Sequence, residues 1–196
     1  YPVVIYNDED KSRIFTRDIL VVTGKLKGQT ISFIVNHWPS RRGNDDSNAL
    51  RTSVAMRCRS LVDSLTRADA TANVIVLGDF NDDPTNESIV QNLQAVDQDS
   101  LKPGYLFNAM APLFAAGQGT LRYNNKWNLF DQIIITQSLL SKQHKGYSYQ
   151  SAHIFSRPYL FQQDGDFKGY PNRTYGGKKY LGGYSDHLPV YMILEK

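Results

Sequence analysis

The stretch "VLGDFNDDP", Val76 to Pro84, sets four carboxylate or amide side chains directly after an apolar run. Gly78 allows a sharp turn out of a sheet, and in extended chain Asp79 and Asn81, two apart, project to the same side. An aspartate there can accept a proton from an attacking water, and an asparagine can donate to an anionic oxygen without adding repulsive charge. An Asx-turn followed by a helix cap accounts for the same letters, and it is the commoner meaning of an isolated "GDxN".

"SDH", Ser185 to His187, immediately precedes the last apolar run. Asp186 is a hard oxygen ligand suited to Mg²⁺ or Mn²⁺, and His187 can hydrogen-bond a phosphoryl oxygen. A capped turn with a half-buried histidine explains this tripeptide equally well. In "NHWPSRR", His37 ends an apolar strand, where a lone histidine is more often structural, and Trp38 reads as packing. Ser40, Arg41 and Arg42 follow, and together they offer donors to a phosphate or another anion.

Asp131, in "WNLFDQIII", puts a carboxylate inside an apolar strand, which is costly unless the group is paired. A histidine whose tautomer it fixes and a salt bridge to Arg or Lys are both open as the partner. Arg17, in "FTRDIL", can reach the same end of the sheet or pair with Asp18 or Glu9, and the structural pairing is the preferred reading. Tyr170, Asn172, Arg173 and Tyr175 lie in the stretch before "SDH" and are candidates for substrate contact, although their spacing does not require it.

These residues need a scaffold that brings strand ends together, because loops at strand ends are where a rigid sheet presents reactive groups. "DILVVTGKL" (18–26) and "TISFIVNHW" (30–38) predict a hairpin with Gly28 in its turn. From Asn48 to about Ala68, Leu50, Val54, Ala55, Cys58, Leu61, Val62 and Leu65 recur at steps of three and four. That stripe predicts an amphipathic helix with Arg51, Arg57, Arg59 and Asp63 toward water.

"NVIVLGDF" predicts a central strand covered on both faces. A helix is expected to start in "DPTNESIVQNL", with Pro84 in the first turn and Thr85 as cap, and another over 105–116, where Pro112 is an irregularity. Two strands around "NN" are predicted within 119–140, a polar loop from Ser138, a long loop over 156–183, and a last strand in "LPVYMIL". Alternating strands and helices without internal repeats predict an α/β sandwich.

The chain has 196 residues, enough for one sizeable core, so residues 1–196 are read as a single domain. Hydrophobic residues at 41% and charged ones at 21% exclude disorder, and no run reaches the roughly 20 apolar residues of a membrane helix. A net charge of +3 permits anionic substrates and is far below that of an obligate DNA-binding module. Cys58, the one cysteine, excludes an internal disulfide and a cysteine-built zinc site. The sequence opens with neither a signal-peptide pattern nor an initiator Met, so a mature form, an excised piece or a fragment is expected. The compartment is left open, with secretion or a periplasmic location compatible.

Taken in order, "VNHWPSRRGN", "VIVLGDFNDDP", "WNLFDQIII" and "GGYSDHLPV" resemble the endonuclease/exonuclease/phosphatase superfamily, the deoxyribonuclease I-like metal-dependent phosphoesterases. "GDFN" followed about a hundred residues later by "SDH" is far more specific than either part. The resemblance implies an α/β (α+β) fold, a four-layer sandwich of two mixed sheets flanked by helices. It also implies attack of water on phosphorus with Mg²⁺ or Mn²⁺ bound, on a phosphodiester or phosphomonoester, with nucleic acid among the substrates. By matching motifs, Asp79 resembles the base for water, Asn81 a holder of phosphate, His187 the stabiliser of the transition state and Asp131 its orienting partner. Asp186 resembles a metal ligand and His37 the second histidine near phosphate or leaving group. From their residue types alone, Arg41, Arg173 and Tyr175 are expected as substrate contacts.

Relatives with this pattern begin with apolar strands ending in Asn and in a metal-binding Glu. Neither is found here, and Glu9, in a charged turn, is not given that role. The resemblance therefore implies an N-terminally truncated domain with exposed apolar edges, weakly active or inactive alone. A non-catalytic module that binds a phosphorylated or nucleic-acid partner is the alternative.

Overall fold

The computed structural model of the chain describes residues 1–6, 10–41, 46–142 and 146–196. Arg42 and Glu9 lie outside them. The strands β1 (Val4–Tyr6) and β2 (Arg13–Phe15) form an antiparallel pair. The expected hairpin follows as β3 (Leu20–Leu26) and β4 (Gln29–His37), joined through Lys27 (φ 44°) and Gly28 (φ 92°). Two successive positive φ angles match the twist of the flanking strands, which is why glycine serves there. α1 (Asp46–Ala68) leads to β5 (Asn73–Asp79), then to β6 (Ala95–Val96) and β7 (Leu106–Asn108).

After the short helix α2 (Ala111–Ala115), β8 (Leu121–Tyr123) and β9 (Lys126–Asn128) pair around the expected "NN" turn, with Asn124 and Asn125 both at positive φ. β10 (Asp131–Ile135) returns to the main sheet, and β11 (Ser148–Ile154), β12 (Tyr175–Gly176), β13 (Lys179–Tyr180) and β14 (Val190–Glu195) follow. The main sheet is mixed, with six strands in the order β3-β4-β5-β10-β7-β6. β5 is central, as its apolar run predicted.

Alternation along β5 divides the core. Val74 and Val76 face α1, where Val54, Ala55, Cys58 and Val62 close on them. Ile75 faces the opposite way, with Ile31, Ile133, Ile135 and Ala152, and Val190, Met192 and Leu194 of β14 pack against that cluster. Helix, mixed sheet and the antiparallel β11–β14 pair thus form the layers of an α/β sandwich. Burying a side chain such as Ile134 contributes roughly 1.5–3 kcal/mol.

The second layer does not reach across the whole sheet. On β3 and β4, Leu20 faces Val35 and Val22 faces Phe33 across the ladder, on the side opposite the α1 cluster. They remain 58%, 37%, 47% and 37% exposed in that order.

Several expectations are corrected. Arg51 does not face water but is 2% exposed, because Asp82 is buried beneath α1 and needs a counter-charge. Residues 106–108 are a strand, because pairing with β6 and β10 outweighs helical propensity, and the helix is confined to 111–115 with Pro112 in its first turn. After Pro84 the chain makes a single π-helical turn, Ser88–Asn92, with no side-chain cap from Thr85. The polar stretch after Ser138 contains β11, whose outer face is polar because only one face is covered. Within 156–183 the β12–β13 hairpin and a turn at Pro158–Leu160 give the expected loop local structure.

Candidate active site

Strand register assembles the site. His37 ends β4, Asp79 ends β5 and Asp131 begins β10, and the ladder sets Asp79 directly opposite both His37 and Asp131. Three residues far apart in sequence become neighbours because the strands end at one level. Gly78 makes this possible: at φ 134°, a Cβ there would lie 1.9 Å from the carbonyl oxygen of Asn36 on β4. His187 arrives from the other layer, pinned by the amide of Leu188, which donates to Thr120 O at 2.8 Å.

His187 Nδ1 lies 2.7 Å from Asp131 Oδ2, and Thr120 Oγ1 donates to the same oxygen at 2.6 Å. An ionised carboxylate only accepts, so the bond fixes the Nδ1–H form and leaves Nε2 as the ring's second polar atom. Burial by itself pushes His187 down, but the hydrogen bond and charge of Asp131, with Asp79 and Asp186, outweigh it and raise its pKa. Burial also raises the Asp79 carboxyl. The Asn81 amide opposes that rise, the Asp131 charge adds to it, and His187 and His37 counter it in part. His37 Nε2 stands 3.5 Å from Asp79 Oδ2, on the more open side.

Asn81 is held in a conformation few residues adopt, φ 49°. Its amide nitrogen donates to Asp79 Oδ1 at 2.9 Å and its side-chain Nδ2 donates to Trp38 O at 2.9 Å. The next residue anchors this bend. Asp82 Oδ2 accepts from Ser88 Oγ at 2.6 Å and lies 2.8 Å from Arg51 Nε, an ionic approach rather than a straight hydrogen bond. Arg41 Nε donates to Asn81 O at 2.8 Å, its guanidinium bridges Asp82 and Asp83, and it stacks 4.6 Å over Phe130.

Among the described residues, Asp79, Asp131 and His187 form one group whose ligand atoms lie within 4.8 Å of one another. Two carboxylates and an imidazole suit a divalent cation with a preference for oxygen donors. Asp186 lies outside that group, half exposed, with Oδ2 3.3 Å from Arg173 Nη2. A cation on Asp186 would have to compete with that guanidinium.

The structure brings His37, Asp79, Asn81, Asp131 and His187 together. Arg41, expected as a substrate contact, is instead engaged by Asn81, Asp82 and Asp83, and Tyr175 pairs with Tyr180 on the β12–β13 hairpin. Tyr170 is tied to the "NN" turn through Asn125, and Arg17 is exposed ahead of β3. Sequence reasoning missed Arg51 and Thr120. Arg51 sits beside an apolar stripe and offered no signal, whereas Thr120, next to Gly119 and eleven residues before Asp131, offered only a hydroxyl near a turn.

The family comparison agrees with this geometry. Residues 3–196 match the model of the Endonuclease/Exonuclease/phosphatase family, and the chain belongs to that family. The family is named for enzymes that cleave phosphate esters. Among solved structures, a humanized D. rerio TDP2 with 14 mutations aligns at 16% identity and TM-score 0.52, over 91% of this chain and 60% of that one. D. rerio TDP2 complexed with a single-strand DNA product aligns at 14% and 0.51, over 91% and 61%. A mannosyl-6-phosphatase of Bacteroides thetaiotaomicron VPI-5482 aligns at 16% and 0.50, over 87% and 53%. At these identities the likeness is one of fold, a deoxyribonuclease I-like α/β sandwich, and the chain spans little more than half to three fifths of these structures. No curated protein matches the sequence.

Proposed function

We propose that the chain is a divalent-metal-dependent phosphoesterase that hydrolyses a phosphodiester or phosphomonoester by water attack, with residues 1–196 acting as one domain. The observation that carries the reading is the register of His37, Asp79 and Asp131 on adjacent strands, with His187 hydrogen-bonded to Asp131. The D. rerio TDP2 complex with a single-strand DNA product and the Bacteroides mannosyl-6-phosphatase support phosphate esters in general and leave both kinds of ester in play.

In this reading Asp79 accepts the proton of the attacking water, and the burial that raises its pKa favours that uptake. The new bond forms from the water oxygen to phosphorus, and the ester bond to the leaving group breaks. His187, whose protonated form Asp131 favours through its hydrogen bond and charge, donates to a phosphoryl oxygen as negative charge develops. Asn81 adds a neutral donor, and His37 stands on the open side, where a leaving group would depart. A bound Mg²⁺ or Mn²⁺, held by Asp79 and Asp131 with Asp186 nearby, would supply further charge stabilisation.

The test is turnover of bis(p-nitrophenyl) phosphate and p-nitrophenyl phosphate over a Mg²⁺ and Mn²⁺ titration. Metal-dependent release of nitrophenol that disappears in Asp79→Ala and His187→Ala is expected. Unchanged turnover in those variants would overturn the assignment, and binding of phosphate esters without turnover would leave a non-catalytic module.

A second reading, that these residues are the larger part of a catalytic unit and weakly active alone, is favoured by the uncovered apolar side chains Leu20, Val22, Phe33 and Val35. Full turnover by a chain verified as residues 1–196 by intact mass would defeat it.

A further inference from the structure

Thr120 touches both halves of the Asp131–His187 pair. It lies just ahead of β8 with 0% of its surface exposed, and each of its polar atoms is engaged. The hydroxyl Oγ1 donates to Asp131 Oδ2 at 2.6 Å, the same oxygen that lies 2.7 Å from His187 Nδ1. The carbonyl accepts from Leu188 N at 2.8 Å, one residue beyond His187. The amide donates to Asn128 O at 2.8 Å and ties Thr120 to the end of β9, while Leu121 bridges to His187 itself.

The direction of the hydroxyl follows from its partners. Asp131 N donates to Oγ1 at 3.4 Å, and an ionised carboxylate only accepts, so the hydroxyl hydrogen points at Oδ2. The last torsion of an aspartate is broad, so a single bond from a ring leaves the carboxylate plane loosely set. A second donor on the same oxygen, from a residue held at three points, removes that freedom. Gly119 lets the chain come so near, because a Cβ there would lie 2.6 Å from Asn128 O. Thr136, also buried, shows the ordinary use of such a hydroxyl: it donates to the backbone carbonyl of Ala72 at 2.9 Å, far from any reacting group.

We propose that Thr120 is a positioning residue for the phosphoryl site, fixing the rotation of Asp131 through its hydroxyl and the approach of His187 through its carbonyl. The inference rests on the phosphoesterase reading for what the pair does, and goes beyond it by assigning the pair's geometry to a buried residue that touches no reacting atom. With Asp131 held, Nδ1–H stays on the carboxylate and Nε2 is left to face the substrate.

The experiment joins steady-state kinetics to NMR of the full 196-residue chain. Thr120→Val keeps the shape and removes the donor, whereas Thr120→Ser keeps the donor and drops the methyl. Thr120→Cys offers a weak donor in a similar space and reads the effect should the valine variant not fold. With bis(p-nitrophenyl) phosphate, Thr120→Val is expected to lower kcat about 10–100-fold, the usual loss when the group behind an orienting partner is removed, with KM within about twofold. Thr120→Ser is expected to stay within about threefold of the native kcat, and Thr120→Cys to fall between.

NMR reads the ring without metal or substrate. The chain carries isotopically labelled histidine in EDTA, at a pH alkaline enough for a neutral imidazole, and His187 is assigned among the four histidines by its loss in His187→Gln. The Nδ1–H form is expected in the native chain and Thr120→Ser, and a mixture of both tautomers in Thr120→Val.

A native kcat and an unmixed Nδ1–H ring in folded Thr120→Val or Thr120→Cys would overturn the proposal, even with a lower urea midpoint, because Thr120 would then serve the fold alone. A loss in Thr120→Ser equal to that in Thr120→Val would also overturn it, since the methyl and not the hydroxyl would matter. Mixed tautomers in Thr120→Val with no ester turnover by the native chain would defeat the phosphoesterase reading and leave the positioning role standing. Ester turnover that needs His187 but is indifferent to Thr120→Val would do the reverse.

Discussion

The bend after β5 and the segment before β14 both adjoin the site, yet they are built in opposite ways. Asn81 and Asp82 are 8% and 4% exposed, and two arginines, Ser88 and the carbonyl of Trp38 hold the bend by side-chain contacts. Residues 157–184 are held by backbone hydrogen bonds and leave their rings and lysines to solvent. The first arrangement over-determines geometry, which a reacting group needs to sit within a fraction of an ångström. The second fixes the backbone and leaves rings and lysines in solvent.

The largest expected effect comes from the strand end that leads into the bend. Asp79→Ala is expected to lower turnover of bis(p-nitrophenyl) phosphate by about 10²–10⁴-fold, the range for removing a general base, while Asp63→Ala on α1 leaves it within error. Steady-state kinetics check both. Next, Arg51→Met leaves Asp82 buried with only the more exposed Arg41 as counter-charge and is expected to destabilise the fold by somewhat less than the about 3–5 kcal/mol of a fully orphaned buried charge. Asp82→Asn placed on Arg51→Met should recover part of that loss in urea unfolding, because the buried charge is gone.

A smaller effect tests the pairing at the site. His187 has its pKa raised above 6.5, so in metal-free buffer the extra stability of its charged form against Asp131 is fully present below about pH 6.5 and is lost as pH rises through the folded-state value, while the neutral Nδ1–H bond remains. The Tm difference between the native chain and His187→Gln is therefore expected to be greater on the acid side of the His187 titration and to shrink as pH rises through it. The smallest effect belongs to the exposed segment: Phe167→Ala is expected to change unfolding free energy by no more than about 0.5 kcal/mol. A loss near that of Arg51→Met would erase the comparison, because the segment would then be core.

The residues near the site were legible to different degrees. "GDFN", "SDH" and "NHW" stand at strand ends that apolar runs betray, so Asp79, Asn81, His187 and His37 could be marked in advance. Asp131 was marked by cost alone, a carboxylate in an apolar strand, and the choice between histidine and arginine as its partner waited for coordinates. Arg51 was misread because periodicity predicts which face of a helix is apolar and cannot see a buried carboxylate across from it. Leu106 and Phe107 were misread because two residues of strand are stabilised by neighbours rather than by their own preference.

The sequence alone determined the hairpin, the central strand, the long helix and the chemical kind of the site, since these follow from periodicity, turn residues and motifs within short windows. Tertiary structure decided that Asp79 faces both His37 and Asp131, that Asp82 is a buried anchor, and that Asp186 turns to Arg173. Those facts depend on strand register and on charges meeting across 13 residues at Arg173–Asp186 and 31 at Arg51–Asp82, and no local pattern encodes them.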